Sequence, residues 1–186
     1  MRADARSNRQ DLVEAAWKLL AAEGPDASLR AIAQEAGVGI ATLYRHYPTR
    51  DDLILGVVDE VQARVREILE RHAPRWEDSP ELAWSETVHD IAALQIGTLV
   101  HQVSPGIASS EALARGGEER RLRALRFLGP VLRRAKDAGL VREDVRAEQL
   151  MLGLAAITRA FPRGIDSLMP GQRDWLVDVY LRGLRP

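Results

Sequence analysis

The feature that most constrains this chain is the spacing of its apolar residues, which recur every three to four positions almost from end to end. That spacing is typical of amphipathic helices, and no run of alternating β-branched residues predicts a strand. Breaks at Pro, Gly and Ser clusters divide the chain into about nine helices, so we expect an all-α protein. The predicted helices are 8–22, 28–36, 40–46, 49–72, 80–103, a short segment at 107–114, 118–138, 147–161 and 170–184.

Composition narrows the function classes. The chain holds no cysteine, which excludes disulfides, thiolate metal sites and cysteine nucleophiles. Neither a membrane helix nor an apolar signal segment is predicted, so we expect a cytoplasmic protein. The net charge of −1 is low for a DNA-binding protein, because phosphate neutralisation supplies much of the affinity. A small DNA-binding head on a more acidic body is compatible with that average.

The most informative local pattern runs from Ser28 to Tyr47. A helix that Ser28 can cap is followed by a break at Gly37 and by a second short helix that ends before Pro48. This arrangement predicts a helix-turn-helix, whose second helix enters a DNA groove. Packing is predicted for Leu29, Ile32, Ala33, Val38 and Leu43, which leaves Gly39, Ile40, Thr42, Tyr44, Arg45 and His46 on the outer face.

The residues from Leu29 to Ile54, with their Gly-Val-x-x-x-Thr-Leu-Tyr-x-His-Tyr pattern before a capped long helix, resemble the TetR family of transcriptional regulators. The resemblance covers about the first third of the chain. It implies a helix-turn-helix DNA-binding domain at 1–50 and a helical ligand-binding and dimerisation domain at 51–186, with a connecting helix at 49–72. It further implies a homodimeric repressor that a small-molecule inducer releases from a palindromic operator.

The resemblance also implies which residues contact DNA. Backbone phosphates are the expected partners of Tyr44, His46 and Arg50, and Thr42 is expected near the start of the recognition helix. Arg45 is the strongest candidate for reading a guanine. Further candidate contacts are Ser28, Arg30, Gly39, Ile40 and Ala41, where Gly39 replaces the serine that is commoner in the family.

Two neighbouring features have competing interpretations. Tyr47 can contact DNA, but the core between the first and fourth helices is the favoured place for it. Arg2, Arg6 and Arg9 form either a frayed tail or an arm in the minor groove, and the tail is favoured.

The resemblance places the dimer interface on the last two helices, although part of that apolar stripe can instead pack within its own subunit. The predicted interface residues are Leu150, Leu154, Ile157, Phe161, Trp175, Val179 and Tyr180. The candidates for the ligand pocket, for each of which ordinary core is the favoured alternative, are Trp84, His89, Gln95, His101, Phe127 and Phe161. No cofactor is expected, and the twelve-residue spacing of His89 and His101 without a carboxylate pattern disfavours a metal site.

Several alternatives to a ligand-responsive repressor stay open. The same architecture serves an activator or a regulator that answers to no ligand, and a helical adaptor is a third possibility. An enzyme is disfavoured, because no nucleophile elbow, phosphate loop or metal pattern is present. The arginine-rich stretch from Arg115 to Arg134 is interpreted as a solvated, partly salt-bridged helix face and not as a second nucleic-acid surface.

Overall fold

The computed structural model describes the backbone of residues 2–159 and 168–186, and the side chains of all of these except 2–7 and 105–109. Every regular element in the described residues is helical, which confirms the all-α prediction, and none is long and apolar enough to cross a membrane. The α-helices are α1 (Arg2–Glu23), α2 (Leu29–Glu35), α3 (Ile40–His46), α4 (Arg50–His72), α5 (Pro80–Ala93), α6 (Ile96–Ser109), α7 (Glu111–Asp137), α8 (Ala147–Ile157) and α9 (Gln172–Leu184), and a 3₁₀ helix covers Ala73–Trp76.

The first three helices form around a small core of fully buried side chains. Leu20 of α1, Ile32 of α2 and Leu43 of α3 are each at most 1% exposed. Burial of one such side chain stabilises the fold by about 1.5–3 kcal/mol. The Ser28 hydroxyl accepts a hydrogen bond from the Ala31 amide at 3.4 Å, so the predicted cap of α2 is confirmed.

Helix α4 begins with a reciprocal capping arrangement. The Thr49 hydroxyl accepts a hydrogen bond from the Asp52 amide at 3.1 Å, and the Asp52 carboxylate accepts one from the Thr49 amide at 3.0 Å. Two amides that have no partner within the helix are thereby satisfied. The prediction that the long helix is capped is thereby confirmed, with Thr49 as the capping residue, and the cap fixes where the chain leaves the helix-turn-helix.

The chain divides into two compact units, each built from two stretches of sequence. The first unit comprises residues 1–61 and 99–120, and the second comprises 62–98 and 121–186. The first unit therefore contains α1, α2, α3 and the beginning of α4, together with most of α6 and the beginning of α7. The second unit contains α5, α8 and α9 and the remaining parts of α4, α6 and α7.

The predicted single helix at 80–103 is wrong, because the chain breaks between α5 and α6. Gln95 lies in this break with a left-handed φ of 52°. Two residues later, the Gly97 amide donates a hydrogen bond to the Thr158 hydroxyl at 3.0 Å. A Cβ atom on Gly97 would lie 1.9 Å from the Ala155 carbonyl oxygen. The break is thus set by the close approach of α6 to α8. The residues around Gln95 carry no local sequence signal that predicts it.

The predicted breaks at 104–106 and 116–117 are also wrong. Helix α6 continues to Ser109 with Pro105 inside it, where the proline removes one backbone donor without ending the helix. Helix α7 already begins at Glu111 and includes Gly116. A Cβ atom on Gly116 would lie 2.6 Å from Leu55, so this glycine serves close packing and not a break.

Three other boundaries differ from the prediction. Helix α1 begins at Arg2, so the favoured frayed tail at Arg2 and Arg6 is helical backbone, and α9 begins at Gln172 instead of residue 170. Helix α8 ends at Ile157. Its predicted extension to 161 enters residues outside the described ranges.

Candidate nucleic-acid interface

The outer face of α3 is fixed from below by the buried residues of the helix-turn-helix. Ile32, Ala33 and Leu43 are buried as predicted, while Leu29 and Val38 are half-buried. The turn between the two helices is closed by Gly37 with a φ of +68° and by a hydrogen bond from the Val38 amide to the Ala33 carbonyl at 2.9 Å. These contacts hold α3 at a defined angle on α2, as recognition by a helix requires.

The side chains that α3 presents to solvent are those expected at a DNA interface. Tyr44 is 49% exposed, Ala41 and Arg45 are exposed, and Thr42 is half-buried. Aromatic, hydroxyl and guanidinium groups at such positions bind phosphates and base edges. Ile40, also half-buried, adds an apolar contact surface at the start of the helix.

Gly39 precedes α3 and gives it no side-chain cap. It is exposed, and a Cβ atom at this position would meet nothing within 4 Å. Its φ of −72° is open to any residue. Glycine at this position is therefore not required by the fold. Compared with the serine that is commoner in the family, Gly39 lacks a hydroxyl that could form a hydrogen bond at this exposed position.

One segment of this region carries positive charge without any negative charge. Residues 1–50 hold seven Lys and Arg against six Asp and Glu, so the head as a whole is almost neutral. Residues 36–50, in contrast, contain Arg45, His46 and Arg50 and no acidic residue. A local excess of this kind is sufficient to attract phosphate, since screening limits charge effects to about 8–10 Å.

Tyr47 is only 3% exposed, so its predicted place in the core is confirmed. Its ring lies against Gly56 of α4, where a Cβ atom would be 2.6 Å from the ring. Its hydroxyl accepts a hydrogen bond from Arg9 Nε at 3.2 Å, and the Arg9 guanidinium lies 5.7 Å from the ring centroid. The hydrogen bond to the Tyr47 hydroxyl raises the pKa of Arg9. Arg9 therefore links α1 to the end of α3, which sequence reasoning missed.

Arg50 holds the loop between α1 and α2. Its Nη1 atom donates to the carbonyl oxygens of Pro25 and Ala27, both at 2.7 Å, and its side chain is half-buried. These two bonds connect the first turn of α4 to the residues before α2. A phosphate contact by Arg50 remains a prediction. The guanidinium that would make it already holds the α1–α2 loop through Nη1.

His46 and the start of α2 complete the candidate set. His46 is half-buried, and its Nε2 atom is covered without a hydrogen-bond partner in the described part of the chain. A phosphate can therefore reach this ring only through Nδ1, in the tautomer that carries the proton there. Ser28 and Arg30 are exposed beside the N-terminus of α2, which favours anions.

The ligand-pocket candidates do not converge. Trp84 is 4% exposed and lines a groove of about 800 Å³ in the second unit. His89 is bonded to the Ser85 carbonyl and lies 3.2 Å from the carboxylate of Asp178, which also lines the groove. The other candidates lie elsewhere: Gln95 in the α5–α6 break, His101 exposed on α6, Phe127 half-buried on α7, and Phe161 outside the described residues.

The dimer candidates separate into covered and exposed residues. Leu150 and Leu154 are buried within the chain's own second unit, at 2% and 6% exposed. Trp175 and Val179 are 53% and 41% exposed, while Ile157 and Tyr180 are half-buried and Phe161 is outside the described residues. Three exposed apolar residues were missed by sequence reasoning: Leu152, Leu168 and Met169.

The matches to known families cover both parts of the chain. Residues 12–57 match the bacterial regulatory proteins of the tetR family, and residues 82–186 match the C-terminal domain of SbtR-like transcriptional regulators. The chain belongs to the TetR family. Like other TetR regulators it is a helix-turn-helix DNA-binding protein and not an enzyme.

Individual TetR-family relatives agree with this assignment. The chain is 46% identical over 59 residues to HTH-type transcriptional regulators of Staphylococcus aureus, a match that spans 31% of this chain and 32% of theirs. The chain thus matches about a third of the length of these curated relatives.

Solved structures match over nearly the whole length. A TetR regulator of Streptomyces coelicolor is 28% identical with a TM-score of 0.67, covering 96% of this chain and 98% of that one. A second, from Mycobacterium vanbaalenii, is 29% identical with a TM-score of 0.63 and coverages of 100% and 99%. LfrR of Mycobacterium smegmatis, solved in complex with proflavine, is 25% identical with a TM-score of 0.63 and coverages of 96% and 95%.

Proposed function

We propose that this TetR-family protein is a homodimeric repressor that binds a palindromic operator through α3 and is released by a small molecule. The observation that carries the proposal of DNA binding is the exposed face of α3, which contains no acidic residue and rests on the fully buried side chains of Ile32 and Leu43. A single seven-residue helix covers too few base pairs to be selective. Two copies related by a two-fold axis reach successive major grooves about 34–36 Å apart.

Within this face, Arg45 reads a base, Thr42 lies at the groove, and Tyr44 and His46 hold phosphates. Replacement of Arg45 by Ala is expected to cost about 1–3 kcal/mol and to relax specificity at one operator position. Replacement of Tyr44 by Ala weakens binding to all sequences alike, and Tyr44→Phe isolates the hydroxyl. Anisotropy titrations on the operator and on single-base variants measure both effects. If Arg45→Ala instead lowered the affinity for all operator variants equally, Arg45 would be a phosphate contact and not a base contact.

The dimer interface is formed by the exposed apolar residues of α8 and α9. These two helices pack closely, since a Cβ atom on Gly153 would lie 2.3 Å from the Tyr180 hydroxyl. Leu152 is 63% exposed on α8, and Trp175 and Val179, four residues apart on α9, are 53% and 41% exposed. Large apolar side chains left exposed on two packed helices are typical of a homodimer contact.

A charge within this interface tests the assembly. We expect Trp175→Arg to shift the protein to monomers in sedimentation velocity and to abolish operator binding at nanomolar concentrations. Leu122→Arg, which replaces a 44% exposed leucine on α7, is the control and should remain dimeric. A dimeric Trp175→Arg variant would remove this interface from the proposal.

The ligand binds in the second unit, where the groove of about 800 Å³ is the candidate site. This volume lies in the range of small-molecule sites. Apolar walls come from Leu82, Trp84 and Leu181, and polar groups from Glu81 and Arg182. The related LfrR was solved with proflavine, an aromatic ligand, which supports an aromatic wall as a binding surface.

Release of DNA requires a ligand that prefers the non-binding state, by about 2.7 kcal/mol for a hundredfold loss of operator affinity. Compounds that raise the melting temperature are tested for release of a labelled operator, with Leu181→Arg as a variant that fills the groove. Ligands that bind tightly and leave operator affinity unchanged would indicate a regulator without ligand response. Reporter transcription that falls when the gene is deleted would indicate an activator.

A further inference from the structure

The beginning of α7 is bonded to α4 inside the same compact unit that contains the helix-turn-helix. The Ser110 hydroxyl donates to the Asp51 carboxylate at 2.6 Å, and Arg120 Nη2 donates to the Asp59 carboxylate at 2.6 Å. Asp51 and Asp59 are eight residues, or about two turns, apart on α4. The first turns of α4 are therefore held at two points by residues far away in sequence.

Arg120 makes more than a surface ion pair. Its side chain is only 15% exposed, and besides Asp59 it donates from Nε to the Leu55 carbonyl and from Nη1 to the Gly116 carbonyl, both at 3.1 Å. A guanidinium with several directed bonds fixes an orientation that a solvated pair does not. Sequence analysis placed Arg120 on a solvated face, and the structure corrects that interpretation.

Apolar packing reinforces these bonds. Leu55 lies against Gly116, where even a Cβ atom would approach its side chain to 2.6 Å. A glycine inside a helix costs stability relative to alanine, so its presence in α7 matches the need for close approach to α4. We call the Ser110–Asp51 and Arg120–Asp59 pairs and the Leu55–Gly116 contact the α7 clasp.

The α7 clasp acts on the helix that adjoins the recognition helix. Only residues 47–49 separate α3 from α4, and the first turn of α4 also holds the α1–α2 loop through Arg50. Asp52 is used by the Thr49 cap, which leaves Asp51 for Ser110. The orientation of α4 therefore determines where α3 is presented.

We propose that Ser110 and Arg120 are positioning residues for operator recognition, although both lie more than sixty residues beyond the helix-turn-helix. The inference rests on the proposed DNA-binding function. It assigns the beginning of α7 to the DNA-binding machinery, and it makes the α7 clasp the element through which a change in α7 reaches α3.

The test measures the operator affinity of the 186-residue chain with Arg120→Gln, Asp59→Asn and the double variant. We expect each single variant to weaken operator binding about tenfold, within the range typical of coupling between sites. The double variant should be no weaker than the worse single one, because both remove the same contact. Binding to non-specific DNA should stay within twofold. Arg115→Gln is the matched control, since Arg115 is exposed and its ion pair within the described part of the chain is with Glu111 on its own helix.

Stoichiometric titration gives the active fraction of each variant, so that a loss of folded protein is not counted as a loss of affinity. Arg120→Lys keeps the charge but not the fork of donors and should restore only part of the affinity. If Arg120→Gln does not fold, Ser110→Ala decides the test. We expect the active fraction of this variant to bind the operator about threefold more weakly than the wild type, within the range of coupling between sites. Wild-type affinity in the active fractions of Arg120→Gln and Ser110→Ala would overturn the inference. A wild-type protein that selects no sequence from a random DNA pool would instead overturn the proposed function.

Discussion

The helix-turn-helix and the α8–α9 region differ in what they leave exposed. In the first, Leu43 is fully buried and its neighbour Tyr44 is 49% exposed, so apolar and polar faces are separated residue by residue. In the second, Leu152 and Trp175 are more than half exposed while Leu150 is buried. One region presents hydrogen-bonding groups to solvent and the other presents hydrocarbon.

This difference indicates different partners. Hydroxyl, imidazole and guanidinium groups are well solvated and exchange water for phosphate and base edges at modest cost. The exposed Trp175 indole and the exposed Leu152 side chain gain most from an apolar partner, and each buried aromatic contributes a large apolar area. The proposed function assigns the first region to DNA and the second to a partner copy of the chain, and substitutions that affect only one of the two regions test this contrast.

The largest expected effect comes from the core of the helix-turn-helix. Leu43→Ala should lower the free energy of unfolding by about 2–5 kcal/mol, because it leaves a cavity in a fully buried site. Urea denaturation measures this loss. Leu122→Ala, at a position 44% exposed on α7, is the control and should cost less than about 1 kcal/mol. Equal losses in the two variants would contradict the separation of buried and exposed faces.

A second substitution breaks the α6–α8 contact in the second unit. Gly97→Ala places a Cβ atom 1.9 Å from the Ala155 carbonyl oxygen. We expect this overpacking to lower the free energy of unfolding by about 1–3 kcal/mol. Gly117→Ala is the opposite case, since nothing lies within 4 Å of its added Cβ inside α7. It should gain about 0.5–1 kcal/mol. Calorimetric melting of both variants gives the comparison. A Gly97→Ala variant that is more stable than the wild type would contradict the close approach of α6 to α8.

The same contrast explains how much of the fold the sequence could predict. The helices at 28–36 and 40–46 were placed to within a residue, because Ser28, Gly37 and Pro48 act on their immediate neighbours. The break at Gln95 was missed because it depends on α8, more than fifty residues away.

The candidate site shows the same division between local and long-range causes. The burial of Tyr47 followed from its position before Pro48, and the outer face of α3 followed from helical periodicity. The bonds of Arg50 to the α1–α2 loop and of Arg120 to α4 were not predictable, since each joins residues more than twenty positions apart. Helical spacing assigns a residue to a face but does not identify what packs against that face.

A smaller effect is expected at the N-terminus of α3. Gly39→Ser supplies the missing cap in open space and should raise stability by a few tenths of a kcal/mol. The hydroxyl also adds a donor and acceptor beside the recognition surface. We therefore expect sequence selection from a random DNA pool to change at one or two positions, while the oligomeric state in sedimentation velocity stays that of the unsubstituted protein. An unchanged consensus would mean that the N-terminus of α3 does not reach the bases.

The smallest effect concerns Tyr180 in the α8–α9 region, where burial raises the pKa of the phenol above its ordinary value of 10.0. Above pH 10 the unfolded chain loses this proton while the folded chain keeps it. The folded state then binds more protons, so stability falls as the pH rises from the unfolded towards the folded pKa. Tyr180→Phe has no such proton, and its melting temperature should fall less than that of the wild type between pH 8 and 10.5.

At neutral pH the Tyr180→Phe variant should lose little stability, because the Tyr180 hydroxyl makes only long bonds of 3.3 and 3.4 Å to the carbonyls of Leu150 and Gln149. Parallel alkaline profiles would show that this side chain is more hydrated than its packing against Gly153 implies.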